Sequence, residues 1–261
     1  MTTEPGTPTA ETTAQPTAET TAQPTAEPGA QQPAAESSAE PTDQPTAQPA
    51  GQRTARPDGG PALIADTRED GLDAAVTAAR RVIASLLGAG DTADADLRRV
   101  AGTLHALADH LDSHAPPLKE RLVAMWAGEG VNRHDPVTGP ENAIAPPLPL
   151  SGNDDGSVAA TVTLGLPYQG PPGYVHGGIS ALLLDHTLGV ANHWGGPSGM
   201  TAELTLRYHR PTPLFEPLTV TGRQTSVEGR KIRTVGTIEA DGEVCVSAEG
   251  LFIAVHPARP R

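Results

Sequence analysis

After Met1, the first large hydrophobic side chain of this chain is Leu63; from there on, apolar positions fall into runs of two different periods. Leu72, Val76, Ala79, Val82, Ile83, Leu86 and Leu87 recur at helical spacing and stop near Gly88 and Gly90. This predicts a first helix. Leu97, Val100, Leu104, Leu107, Ala108 and Leu111 repeat the pattern behind Asp94 and Asp96, acidic residues that suit a helix start. Pro116-Pro117 ends that run, and residues 118–126 predict a short third helix. The first two helices together predict an antiparallel hairpin.

The period then changes. Residues 128–157 are rich in Gly, Pro and Asn and predict a long loop with turns. Residues 158–164 alternate as a strand, 167–176 (PYQGPPGYVH) form a glycine-proline loop, and 177–193 predict a helix. Strands follow at 201–209, 217–227, 230–241 and 243–255. Their breaks carry turn chemistry: Pro211-Thr212-Pro213, Glu228-Gly229 and the tight hairpin signal Asp241-Gly242. One helix followed by an antiparallel meander predicts an α+β domain with the helix packed on the sheet.

The organisation expected is therefore a tail over 1–60, a helical extension over 61–127, a loop over 128–157 and the α+β domain over 158–257. The octad TAETTAQP occurs in tandem at 9–16 and 17–24, with prolines every few residues. Such a segment has almost nothing to bury against its chain entropy, so a disordered tail is expected.

Composition narrows the function. All seven aromatic residues lie from Trp126 onward, which puts the core in the second half. A formal net charge of −13 argues against a nucleic-acid partner and against anionic membrane surfaces. No run reaches the ~18 apolar residues of a membrane span. Cys245 is the single cysteine, which fits a reducing compartment. A soluble, cytoplasmic protein is expected.

Candidate chemistry sits on the helix ISALLLDHTLGVAN, residues 179–192, which is apolar around most of its circumference. Asp185 interrupts it. A carboxylate in such a helix is costly without partners and is a candidate nucleophile or general base; the alternative is a structural aspartate bonded to a neighbouring loop. His176-Gly177-Gly178 precedes the run. Free N–H groups at a helix N-terminus favour an anion or the oxyanion of a tetrahedral intermediate. His176 and Asp185 are nine residues apart, about 900° of rotation and ~13 Å of rise. They cannot converge on one small atom within one chain, so cooperation predicts a site at a two-fold interface. His110 and His114 share a helix face with His105 nearby, but Leu111 stands where a zinc-protease signature needs Glu, so no metal site is expected.

The segments GPPGYVHGGISALLLD (170–185) and MTAELTLRYHRPTPL (200–214) resemble the hotdog-fold thioesterases of the PaaI type, and among them the THEM (thioesterase superfamily member) branch. The HGG-x(6)-D spacing and the later R-P-T-P-L carry the resemblance, which covers about residues 130–256. HDPVTGPENAIAPPL before the first strand resembles actinobacterial versions. The resemblance implies a curved antiparallel sheet wrapped around a long central helix, assembled as a homodimer or homotetramer. It also implies hydrolysis of acyl-CoA without a cofactor. Asp185 would be nucleophile or general base; Gly178 N–H would polarise the thioester carbonyl of a substrate reaching the Asp185 of a second copy. His176 would orient the loop or bond the carbonyl or sulfur, and Thr201 would position water. Arg210, Arg230 and Lys231 would meet CoA phosphates, and Trp194 would line the acyl pocket. Some relatives carry Asn where this chain has Gly170, and Gln169 is the adjacent substitute. A non-catalytic acyl-CoA-binding module is the alternative function.

Overall fold

A computed structural model describes residues 61–91, 96–124 and 132–254. The expected tail, the end of the third helix at Trp126 and the last expected strand residue lie outside the described residues. Helices α1 (Gly71–Ala89), α2 (Leu97–His114) and α3 (Leu118–Ala124) come first; β1 (Ser151–Gly152), β2 (Ser157–Thr163), α4 (Gly177–Gly195), β3 (Met200–Tyr208), β4 (Pro217–Glu228), β5 (Lys231–Ala240) and β6 (Glu243–Ile253) follow. All strand pairs are antiparallel and the sheet order is β1-β2-β4-β5-β6-β3. The sheet wraps α4, whose Leu183, Leu184 and Leu188 are fully buried beside Leu218, Val220, Ile232, Ile238 and Phe252.

Small residues make that approach possible. Gly222 and Gly236 face each other on β4 and β5, with Ala248 next on β6. A Cβ on Gly236 would lie 2.9 Å from Leu188 Cδ2 and 2.4 Å from Thr221 O. The trough therefore lets the helix sit deep in the curved sheet. The β5–β6 connection is the expected Asp241-Gly242 turn, both residues at positive φ (54° and 76°), as a two-residue hairpin requires.

Two expectations change. Residues 132–150 form the expected loop with turns, but it is packed down, with Val137, Ala145, Leu148 and Leu150 buried, and Ser151–Gly152, expected within the loop, pairs with β2. Residues around 62 continue this edge, with Leu63 N donating to Leu150 O at 3.0 Å and Gly152 N donating to Pro61 O at 3.1 Å. Composition marks Gly and Pro but does not show which backbone groups find distant partners. The helical extension is also not a hairpin with a shared core. α1 packs on the 3-10 turn Leu166–Tyr168, while α2 buries none of its residues.

Polar bonds fasten α1 to the 132–145 segment. Arg80 donates to the carbonyls of Gly139 (2.9 Å) and Asn142 (2.7 Å), and Arg133 bridges Asp73 and Glu141, both at 2.6 Å. Asp73 is 1% exposed. Burial alone would raise its carboxyl pKa, but bonds from the Arg68 N–H and the Arg133 guanidinium outweigh burial and hold it below the ordinary carboxylate value. The sign follows: this stabilisation is complete above pH ~4 and is lost as the pH falls through the depressed value. Asp73→Ala, which leaves Arg133 with Glu141 as its remaining carboxylate partner, is expected to cost about 2 kcal/mol, read as a lowered urea midpoint at neutral pH.

Candidate active site

Asp185 projects from the middle of α4 and is half-buried rather than enclosed. Thr201 Oγ1, on the first turn-out of β3, donates to Asp185 Oδ1 at 3.0 Å. One carboxylate oxygen is thus oriented, and Oδ2 has no hydrogen bond among the described residues. The neighbouring His186 faces the 132–145 segment, with Nδ1 3.4 Å from Asp135 Oδ2. Burial lowers the His186 pKa against the upward pull of the Asp135 and Asp185 carboxylates. A neutral imidazole beside Asp185 follows at neutral pH.

The N-terminus of α4 forms the second half of the constellation. His176 is its N-cap, and its Nδ1 accepts from Gly178 N at 3.0 Å. The N–H given to the carbonyl by the resemblance, Gly178, is therefore occupied, because the histidine ring folds back over the helix end. The Gly177 N–H has no acceptor among the described residues and points off the helix end. Tyr208, absent from the sequence reading, donates its hydroxyl to Gly177 O at 2.9 Å. A signal existed: on β3, Tyr208 shares parity with the half-buried Leu204 and Leu206, the side facing α4.

β3 thus runs along α4 from Asp185, met by Thr201, to Gly177, met by Tyr208. It is also the edge of the sheet. Gly177 and Asp185 are eight residues apart, ~12 Å of helix rise, so one chain does not bring them together.

The remaining residues divide. Lys231 pairs with Ile253, which pairs with Met200, so the Arg230-Lys231 turn lies at the Thr201 end of the sheet, two strand spacings or ~10 Å across. Arg230 Nε donates to Ala254 O at 3.1 Å, and both cations are exposed. Arg210, in the β3–β4 connection, is engaged by the β5–β6 turn: Nη2 donates to Ala240 O and Glu243 O, and Nη1 lies 3.3 Å from the Glu243 carboxylate. Trp194 lies nine residues beyond Asp185, half a helical turn out of phase. Its indole covers Gly152, where a Cβ would lie 2.3 Å from Cε2, and Nε1 donates to Asn153 O at 2.8 Å. Gln169 Oε1 accepts from Gly173 N at 3.2 Å and closes the 169–175 turn. At Gly170 a Cβ would lie 2.8 Å from His176 Cα, so this chain has no room for Asn there without moving the histidine.

A solved thioesterase superfamily protein superposes with a TM-score of 0.68 at 62% sequence identity, covering 75% of this chain and 96% of its own. The chain belongs to the thioesterase superfamily. The family profile described as Thioesterase superfamily matches residues 172–247, the span that holds the HGG turn, Asp185 and Thr201. A second profile, the N-terminal helical domain of hypothetical protein RHA1_ro05818, matches residues 63–120. Among curated relatives, acyl-coenzyme A thioesterase THEM4 of Mus musculus is 38% identical over 98 residues, 37% of this chain and 42% of that protein. The Bos taurus THEM4 is 33% identical over 110 residues, 41% and 45% of the two chains. The chain therefore spans less than half the length of these curated relatives. As a superfamily member it has the hotdog fold, a sheet curved around one long helix. Within the described residues, no helix is long and apolar enough to cross a membrane.

Proposed function

We propose that this thioesterase superfamily member hydrolyses acyl-CoA thioesters at a site shared by two copies of the chain. The observation that carries the reading is the Thr201–Asp185 hydrogen bond on an edge strand whose far end reaches the N-terminus of α4. The kinship with THEM4 acyl-coenzyme A thioesterases supports the substrate class.

All nine residues of β3 are at least partly exposed, and its outer edge has no strand partner among the described residues. An exposed edge with open backbone groups is a template for pairing. Two β3 strands joined antiparallel about a two-fold axis between Leu204 and Thr205 place Thr201 of one copy opposite Tyr208 of the other. Asp185 then faces the Gly177 N–H of the second copy, and the dimer has two equivalent sites.

In this site the thioester carbonyl oxygen receives the Gly177 N–H, with the His176 ring beside it. Thr201 orients Asp185 through Oδ1, which leaves Oδ2 to take a proton from water as general base. The new C–O bond forms at the carbonyl carbon, and the tetrahedral oxyanion is stabilised at the helix N-terminus. When it collapses, the C–S bond breaks and the CoA sulfur takes the proton held by Asp185. The products are a carboxylic acid and CoA thiol, and the scheme needs no cofactor. The exposed Arg230 and Lys231 are placed to meet CoA phosphates. Arg210 and Trp194, fixed by their own contacts, serve as supports. The single cysteine, buried and free, supports a cytoplasmic enzyme.

Thiol release from a panel of acyl-CoAs tests the reading. Turnover of at least one member is the expected result. Measurable acyl-CoA binding with no thiol released from any member would instead make the chain a binding module.

A further inference from the structure

The peptide group between Gly177 and Gly178 is hydrogen-bonded at both ends. The Tyr208 hydroxyl donates to its oxygen at 2.9 Å, and its N–H, on Gly178, donates to His176 Nδ1 at 3.0 Å. We propose that Tyr208 is a positioning residue that, through this peptide, holds His176 in the tautomer carrying its proton on Nε2.

The physical link is the conjugation of the amide. Resonance moves electron density from nitrogen to oxygen, and a donor on the oxygen increases that shift. The N–H becomes more polarised, and linked hydrogen bonds strengthen one another. A neutral imidazole has one N–H; a ring nitrogen that accepts a hydrogen bond cannot be the one that bears the proton. With Nδ1 accepting from Gly178, the proton belongs to Nε2, which has no partner among the described residues.

The two glycines fit this arrangement. A Cβ on Gly178 would lie 3.1 Å from His176 Nδ1 and 3.3 Å from Cε1, so a side chain there would push the ring off the peptide. A Cβ on Gly177 would lie 3.4 Å from Tyr208 Cε1 and from its hydroxyl oxygen. Tyr208 is 55% exposed in the single chain, and among the described residues its hydroxyl is the one donor to this peptide oxygen from outside α4.

The catalytic consequence rests on the thioesterase reading. His176 Nε2–H becomes a second donor beside Gly177 N–H for the thioester held against the Asp185 of the second copy. Loss of the Tyr208 hydroxyl would loosen this donor while leaving substrate contacts in place.

The test uses the full chain labelled with 15N-histidine, with the His176 signals assigned by their loss in His176→Gln. Long-range proton–nitrogen spectra of the wild type are expected to show a pyridine-type Nδ1 and a pyrrole-type Nε2. In Tyr208→Phe the two nitrogens should move toward each other as the tautomers mix. Its kcat should fall about two- to tenfold, the range of one neutral hydrogen bond, with KM changed less than about twofold. Tyr208→Met, which also lacks the hydroxyl, takes its place should Tyr208→Phe not fold. A protonated Nδ1 in the wild type, or nitrogen signals unmoved in the variant, overturns the inference. The spectra decide it whether or not any thiol is released; absence of thiol release in the wild type would count against the thioesterase reading alone.

Discussion

Asp185→Asn should abolish turnover, with kcat falling about a thousandfold while acyl-CoA still binds. Asparagine keeps the shape of the side chain and can still accept the Thr201 hydroxyl, the bond seen at 3.0 Å. It cannot take a proton from water, and a positioned general base contributes roughly 10²- to 10⁴-fold. Because Asp185 is half-buried at the surface of α4 rather than in its core, the substitution should leave the melting temperature within a few degrees. A stopped-flow thiol assay at saturating substrate, paired with CoA binding by calorimetry, reads both halves. Activity within tenfold of wild type would remove Asp185 from the chemistry.

Gly177→Pro should cost about a hundredfold in kcat by deleting one hydrogen-bond donor and little else. Gly177 is the first helical residue of α4, where proline is accepted because its fixed φ suits the helix and the missing N–H has no intrahelical partner. The preceding residue, His176, already has φ −63° and ψ 133°, the conformation that proline demands of its neighbour. At the contact with Tyr208 a new Cβ would sit at 3.4 Å, an ordinary packing distance. A variant of unchanged thermal stability and unchanged kcat would move the oxyanion contact away from the helix end.

Much of the α+β domain could be read from local pattern. Asp241-Gly242 demanded a tight turn and forms one, and the alternating runs around it became β5 and β6 within one or two residues. Asp185 stood out because a carboxylate interrupting an apolar helix is costly without partners. What escaped the sequence depends on partners far away along the chain. The leucines of α2 report a helix face, yet periodicity does not say what covers it, and α2 buries none of its residues. Segment 132–145 is loop as expected, but its packing was not legible because its anchors, Arg80 and Asp73, lie about 60 residues earlier. Gly178 looked like the free donor because the rotamer that folds His176 back onto it is not encoded in the HGG spacing. Trp194 was read as a pocket wall, since the need of Gly152 for a flat ring above it is visible only when β1 and α4 are seen together.

A site built from two copies predicts that Asp185→Asn and Gly177→Pro complement each other when mixed. A hybrid dimer has one site with both lesions and one with neither, the latter pairing Asp185 of one chain with Gly177 of the other. Equal amounts, coexpressed or refolded together, should recover about a quarter of wild-type activity: half of the dimers are hybrid, and each has one intact site of two. A mixture no more active than the average of its two parents would rule out the shared site and place the whole reaction within a single chain.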